Sequence, residues 1–104
     1  MPELNIQVEF MGGSELLLKD RKKVHDVVLP CEEAKSGAWT IGQLLRWIKE
    51  TMLGDKAEML IQDGTVRPGV LVLINEIDWE LENRQNYVIR PNDKITFIST
   101  LHGG

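Results

Sequence analysis

Thr40-Ile41-Gly42-Gln43-Leu44-Leu45-Arg46-Trp47-Ile48-Lys49-Glu50-Thr51-Met52-Leu53-Gly54 is the stretch from which the fold follows. Ile41, Leu44, Leu45, Ile48 and Met52 recur at i, i+3, i+4, i+7 and i+11. They draw one apolar stripe on a helix of about three turns. Arg46, Lys49 and Glu50 fall on the opposite side. Thr40 with Gln43 three residues later is a capping box: the threonine oxygen and the glutamine side chain each satisfy a backbone donor that the first turn leaves orphaned. Gly54 stands where a helix would end in a left-handed residue, so the helix is expected from Ile41 to about Leu53.

Outward from this helix the pattern changes period. Toward the N-terminus, Leu4, Ile6, Val8 and Phe10 alternate with Asn5, Gln7 and Glu9, the signature of a strand with one buried face. Gly12-Gly13 supplies a turn, and Glu15 to Leu18 resumes an extended pattern. Asp20 to Lys23 is a charged loop or strand edge. Val24 to Leu29 is rich in β-branched residues and reads as a strand. The first two strands are expected to form an N-terminal hairpin. Pro30 to Gly37 holds proline, glycine and charge, and reads as a loop.

Toward the C-terminus, Lys56 to Gln62 is a short helical turn or a loop, and Asp63-Gly64 and Pro68-Gly69 are turns. Val70-Leu71-Val72-Leu73-Ile74 is a continuous aliphatic run, as for a strand covered on both sides or nearly so. Asn75-Glu76 breaks it, Ile77 to Trp79 turns back as a short strand, and Leu81 to Val88 is irregular. Pro91-Asn92-Asp93 makes a turn before a last strand, Lys94 to Ser99, with Ile95 and Phe97 on one face. One helix cannot cover both faces of a sheet. The expected fold class is therefore α+β, a mixed sheet with the helix packed on one face. Residues 1-99 form the domain and 100-104 a C-terminal tail.

The chain has 104 residues, 42% of them apolar, enough for one domain with its own core. A net charge of -4 argues against a protein that grips nucleic acid by neutralising phosphates. No secretory pattern is visible at the N-terminus, and the longest aliphatic run is far shorter than the ~20 residues that span a bilayer. Cys31 is the one cysteine. It allows no internal disulfide and sits beside Glu32 and Glu33, which disfavour a thiolate, so it is expected to be structural or incidental. The expected address is the cytosol.

Chemistry-bearing patterns are few. His25 and His102 are too far apart in sequence to suggest a metal pair, and no metal site is expected. Gly12-Gly13 lacks the further glycines and the lysine of a phosphate loop. The scattered carboxylates read as surface charges. What remains is the end of the chain, Thr100-Leu101-His102-Gly103-Gly104, directly after a final strand. A terminal carboxylate is ionised at neutral pH and acylates nothing until joined to a good leaving group such as AMP. Two residues without Cβ suit a tail that enters a narrow channel in a partner enzyme. The expectation is a carrier and not an enzyme, with the Gly104 carboxylate as the reacting group. A frayed, glycine-rich terminus is the plainer reading of the same residues.

Three segments, Asp63 to Asn75, Asp78 to Leu81 and above all Phe97 to Gly104, give the chain its resemblance to the ubiquitin-related modifier 1 family of ubiquitin-like β-grasp proteins. The resemblance runs essentially end to end. It implies that an E1-like activating enzyme adenylates Gly104 with ATP. A sulfurtransferase domain then uses persulfide sulfur to form a thiocarboxylate. It implies a tRNA thiolation enzyme complex as recipient, for 2-thiolation of wobble uridine in cytosolic tRNAs, and lysines of target proteins as isopeptide acceptors. Gly103 would be the flexible lead-in, with Leu101 and His102 lining the activating channel. It also implies that the first and last strands are central, parallel neighbours. No cofactor of its own, no direct nucleic-acid or membrane binding, and a monomer are expected. The alternatives are a sulfur carrier for molybdopterin or thiamine biosynthesis, and a passive β-grasp interaction module. Trp39, Trp79 and Leu81, on no clear core stripe, are candidates for an apolar recognition surface.

Overall fold

The computed structural model describes residues 3–30 and 39–99. Five strands form one mixed sheet in the order β2-β1-β7-β5-β6, where β1 is Glu3–Met11, β2 Val24–Pro30, β5 Val70–Ile74, β6 Ile77–Asp78 and β7 Lys94–Ser99. A small separate pair, β3 (Ile61–Gln62) and β4 (Thr65–Val66), closes a tight turn at Asp63-Gly64. Among the described residues one α-helix, α1, spans Ile41–Thr51. The topology is the expected one: β1 and β2 are antiparallel, β1 and β7 lie parallel at the centre, and β5 runs antiparallel to β7.

The register explains the core. Val8 pairs with Ile95 and Phe10 with Phe97, while Ile74 and Val72 flank these from β5. Paired residues share a face, so these side chains all point to the helix layer. Phe10 and Phe97 stack with ring centroids 5.3 Å apart. From the helix, Ile41, Leu44, Leu45 and Ile48 are fully buried against them, and Met52 is partly buried. Both halves of the capping box are made: Gln43 N–H donates to Thr40 Oγ1 at 3.3 Å, and Thr40 N–H to Gln43 Oε1 at 2.9 Å.

Four local expectations are corrected. Ser14–Leu17 is a 3-10 turn and not extended, so the N-terminal hairpin is made by β1 and β2 across a longer connection. Gly54 is not left-handed, because the helix stops differently. Leu53 bridges to Leu18, and the Gly54 N–H donates to Leu17 O at 3.1 Å, pulling the chain off the helix axis without a left-handed step. Trp79 does not extend β6 but opens a 3-10 turn, Trp79–Leu81. The aliphatic run in β5 is covered on one face only. Val70, Val72 and Ile74 are buried, whereas Leu71 is exposed, since the single helix leaves the other side of the sheet open. No described helix is long and apolar enough to cross a membrane.

Candidate functional site

Ser99 is the last described residue of β7, and β7 occupies the middle of the sheet. The described part of β7 therefore ends between two strands: Met11, the last residue of β1, pairs with Ile98, and Val70, the first residue of β5, pairs with Ser99. The strand is held at both ends. At its start stands Asp93, buried at 6% exposure. Its carboxylate accepts from the Tyr87 hydroxyl at 2.6 Å, the Arg90 N–H at 2.8 Å and the Asn75 amide at 2.9 Å. Its carbonyl accepts from Gln7 N–H at 3.0 Å. Asn75 completes the clamp, accepting from the Lys94 N–H through Oδ1 at 2.9 Å and donating its own N–H to Lys94 O at 2.8 Å. Burial and donation to Asp93 both favour the neutral phenol and push Tyr87 up to about 12.

At the other end, Gly12 and Ser14 pack against the last described residues of β7. Gly12 has φ +67, and a Cβ added there would stand 2.4 Å from the Ser99 carbonyl oxygen. Only glycine accepts both that conformation and that approach. Ser14 is fully buried. Its hydroxyl donates to Met11 O at 2.8 Å and lies 3.2 Å from Phe97 O, linking the end of β1 to β7. Sequence reasoning took Gly12-Gly13 for a turn and missed Ser14. The available signal was a Gly-Gly-Ser run directly behind the cleanest strand.

The open face of the sheet is apolar beside this end of β7. Met11, Ile98 and Leu71 form one row across β1, β7 and β5, with Met11 42% and Leu71 46% exposed and Ile98 half-buried. The next row is Glu9, Thr96 and Leu73, in which Thr96 Oγ1 donates to Glu9 Oε1 at 3.3 Å. Farther from this end the face turns ionic, with Lys94 Nζ 3.5 Å from Glu9 and 3.9 Å from Glu76. An exposed apolar row with a charged rim on one side is the make-up of a protein-docking surface.

Leu101, His102, Gly103 and Gly104 lie outside the described residues, as does Cys31. Of the three recognition candidates, Trp79 is a core residue at 7% exposure and is withdrawn. Trp39 is half-buried against the core and donates from Nε1 to Pro30 O at 2.8 Å. Leu81 alone of the three faces solvent, at 79%. The row Met11, Ile98 and Leu71 was not anticipated. Among the described residues no group of three or more His, Cys, Asp or Glu could hold a metal ion.

Comparison with known proteins gives one consistent result. The family model described as Urm1 (Ubiquitin related modifier) matches residues 5–104. The ubiquitin-related modifier 1 of Homo sapiens is 50% identical over 101 residues, covering 97% of this chain and 96% of that protein. That of Sclerotinia sclerotiorum is 48% identical over 102 residues, covering 97% and 95%. The solution structure of Urm1 from Trypanosoma brucei superposes with a TM-score of 0.78 at 32% identity, covering 100% of this chain and 99% of that one.

Proposed function

The chain belongs to the Urm1 family of ubiquitin-related modifiers, ubiquitin-like β-grasp proteins that are small modifiers and sulfur carriers rather than enzymes, and from that premise we propose that Gly104 is its reacting group. The carboxylate of Gly104 attacks the α-phosphorus of ATP in an E1-like partner, pyrophosphate leaves, and the terminus becomes an acyl-adenylate. A persulfide on the partner's sulfurtransferase domain then attacks the acyl carbon and AMP leaves. A second thiol cleaves the resulting S–S bond, freeing the terminal thiocarboxylate and leaving a disulfide. The sulfur passes to the tRNA thiolation enzyme complex for 2-thiolation of wobble uridine in cytosolic tRNAs. The activated terminus is also joined to lysines of target proteins through an isopeptide bond.

The observation that carries this reading is the way β7 is held. A carrier has to deliver a flexible end from a fixed origin, and β7 is clamped at Asp93 and packed against Gly12 and Ser14. Beside that origin the row Met11, Ile98 and Leu71 offers the activating enzyme a surface to hold while Leu101 to Gly104 enter its channel. ATP and the persulfide belong to the partner, whose groups supply positioning and charge stabilisation. The lone cysteine, Cys31, leaves no internal disulfide and suits work in the cytosol.

The test is intact mass after incubation with an E1-like enzyme, ATP and a persulfide donor. The expected product has one terminal oxygen replaced by sulfur. A chain extended by one residue beyond Gly104, or lacking Gly104, should fold normally and form neither adenylate nor thiocarboxylate. Failure of the unaltered chain to form either species would overturn the proposal.

A further inference from the structure

Among the described residues, the outer edge of β2 has no neighbouring strand. Phe10 N–H donates to Lys23 O at 2.7 Å, which fixes the phase of the β1–β2 ladder. Counting in twos from that pair, His25, Val27 and Leu29 spend their backbone groups on β1. Val24, Asp26 and Val28 turn theirs away from it. Among the described residues nothing pairs with those outward N–H and C=O groups. Farther along, Pro30 O is taken by the Trp39 indole. The bare edge is thus Val24 to Val28, a ready template for an added strand.

What flanks the edge selects the strand. Val24 (42%), Asp26 and Val28 (50%) are exposed on the open face of the sheet. On the helix side lies a depression of about 260 Å³ whose walls include Trp47 and Met52, both partly buried against the core. A strand added here places alternate side chains on two surfaces. Its outward residues face Val28, Asp26 and Val24, and its inward residues enter the depression against Trp47 and Met52. Asp26 sits at the middle of the edge, so the residue opposite it is favoured as a cation. Arg21, Lys22 and Lys23 stand just before the edge and oppose further cations at that end. A second copy of this chain is disfavoured, because centred pairing of two β2 edges sets Asp26 against Asp26.

We propose that β2 accepts, by strand addition, an extended partner segment with one central Lys or Arg flanked on both sides by apolar residues. This surface is separate from the end of β7, and its occupation leaves the row Met11, Ile98 and Leu71 open.

The experiment is a backbone amide titration of the full chain with a synthetic peptide reading Val-Leu-Lys-Leu-Val between Gly-Ser flanks. A second peptide carries Glu in place of Lys. Saturable binding is expected by about 1 mM. Shifts should concentrate at Val24, Asp26, Val28 and Trp47, with slowed hydrogen exchange at the three edge amides. The Lys peptide should bind roughly three- to tenfold tighter than the Glu peptide, and Asp26→Lys should invert that order. Asp26 is exposed, so its replacement leaves the fold intact. Val28→Pro removes an outward N–H without touching the β1 ladder and should weaken both peptides. Three results would overturn the proposal: no saturable binding, shifts centred on Leu71 and Ile98, or concentration-dependent edge shifts in the absence of peptide. The last would assign the edge to self-association.

Discussion

Gly12 lies so close to Ser99 that a single added carbon would come within 2.4 Å of the Ser99 carbonyl oxygen. The loop after the first strand therefore packs directly against the last described residue of β7, across most of the chain's length.

Gly12→Ala is expected to destabilise the fold twice over. The φ of +67 alone costs a residue with Cβ about 1–3 kcal/mol, and the clash with backbone cannot be relieved by a side-chain rotation. Gly13→Ala is the informative contrast. It shares a positive φ but meets nothing within 4 Å, so it should show the conformational cost without the clash. Urea denaturation of the two variants measures the difference. Equal losses would mean that the close approach to Ser99 carries no energy.

How much of this was legible beforehand follows from the range of each interaction. Alternation from Leu4 to Phe10 and the Thr40–Gln43 box are local signals, and both elements stand where their residues place them. Ser14 was invisible because its burial depends on Phe97, 83 residues away. A serine behind two glycines otherwise reads as a solvated turn. Leu71 misled for a related reason. Its aliphatic neighbours do not reveal that only one sheet face has a helix to cover it. Gly54 failed because the chain found another stop: the bridge from Leu53 to Leu18 replaced the left-handed cap. The proposed role of Gly104 rests on residue type and on resemblance, whereas the packing of Gly12 and Ser14 against β7 had no local signal.

The helix stripe makes a graded prediction. Leu45 is fully buried, so Leu45→Ala should cost roughly 2–5 kcal/mol. Met52, partly buried at the end of the helix and on the wall of the β2 depression, should cost less when truncated. The order of urea midpoints checks this, and a larger loss at Met52 would contradict the packing described.

Tyr87 makes stability depend on alkaline pH. The folded state holds its phenol up to about 12, whereas an unfolded tyrosine titrates near 10. Below pH ~10 both states carry the proton and the contribution of Tyr87 is fully present. As pH rises toward 12 the unfolded state loses its proton first, so the contribution is progressively lost. The measurement is the difference between the parent and Tyr87→Phe, in which the contributions of all other groups cancel. That difference should shrink from pH 10 to 12. Tyr87 is the single tyrosine, so phenolate absorbance reports on it directly. A midpoint near 10 in the folded protein would show that the bond to Asp93 does not hold the proton.

Leu71→Ser tests whether the apolar row beside the end of β7 serves the carrier role. Leu71 is 46% exposed on the open sheet face, pointing away from the core that Val70 and Val72 fill. Its replacement therefore removes little buried area and should move stability by no more than about 0.5 kcal/mol. Met11→Ser, at the other end of the row, should behave alike. With an E1-like enzyme the same variants should lose adenylation efficiency, because apolar contact area at the docking surface is lost. The loss should appear as a raised KM with kcat nearly unchanged if the row serves to hold the carrier to the enzyme and takes no part in the chemistry. The double variant should be close to additive if each side chain contacts the partner independently, and less than additive if they fill one pocket. Leu81→Ser supplies the control, since it is equally apolar and more exposed but belongs to the turn after β6. Losses as large at Leu81 as at Leu71 would mean the partner grips a different face, and unchanged KM in both row variants would remove the row from recognition altogether.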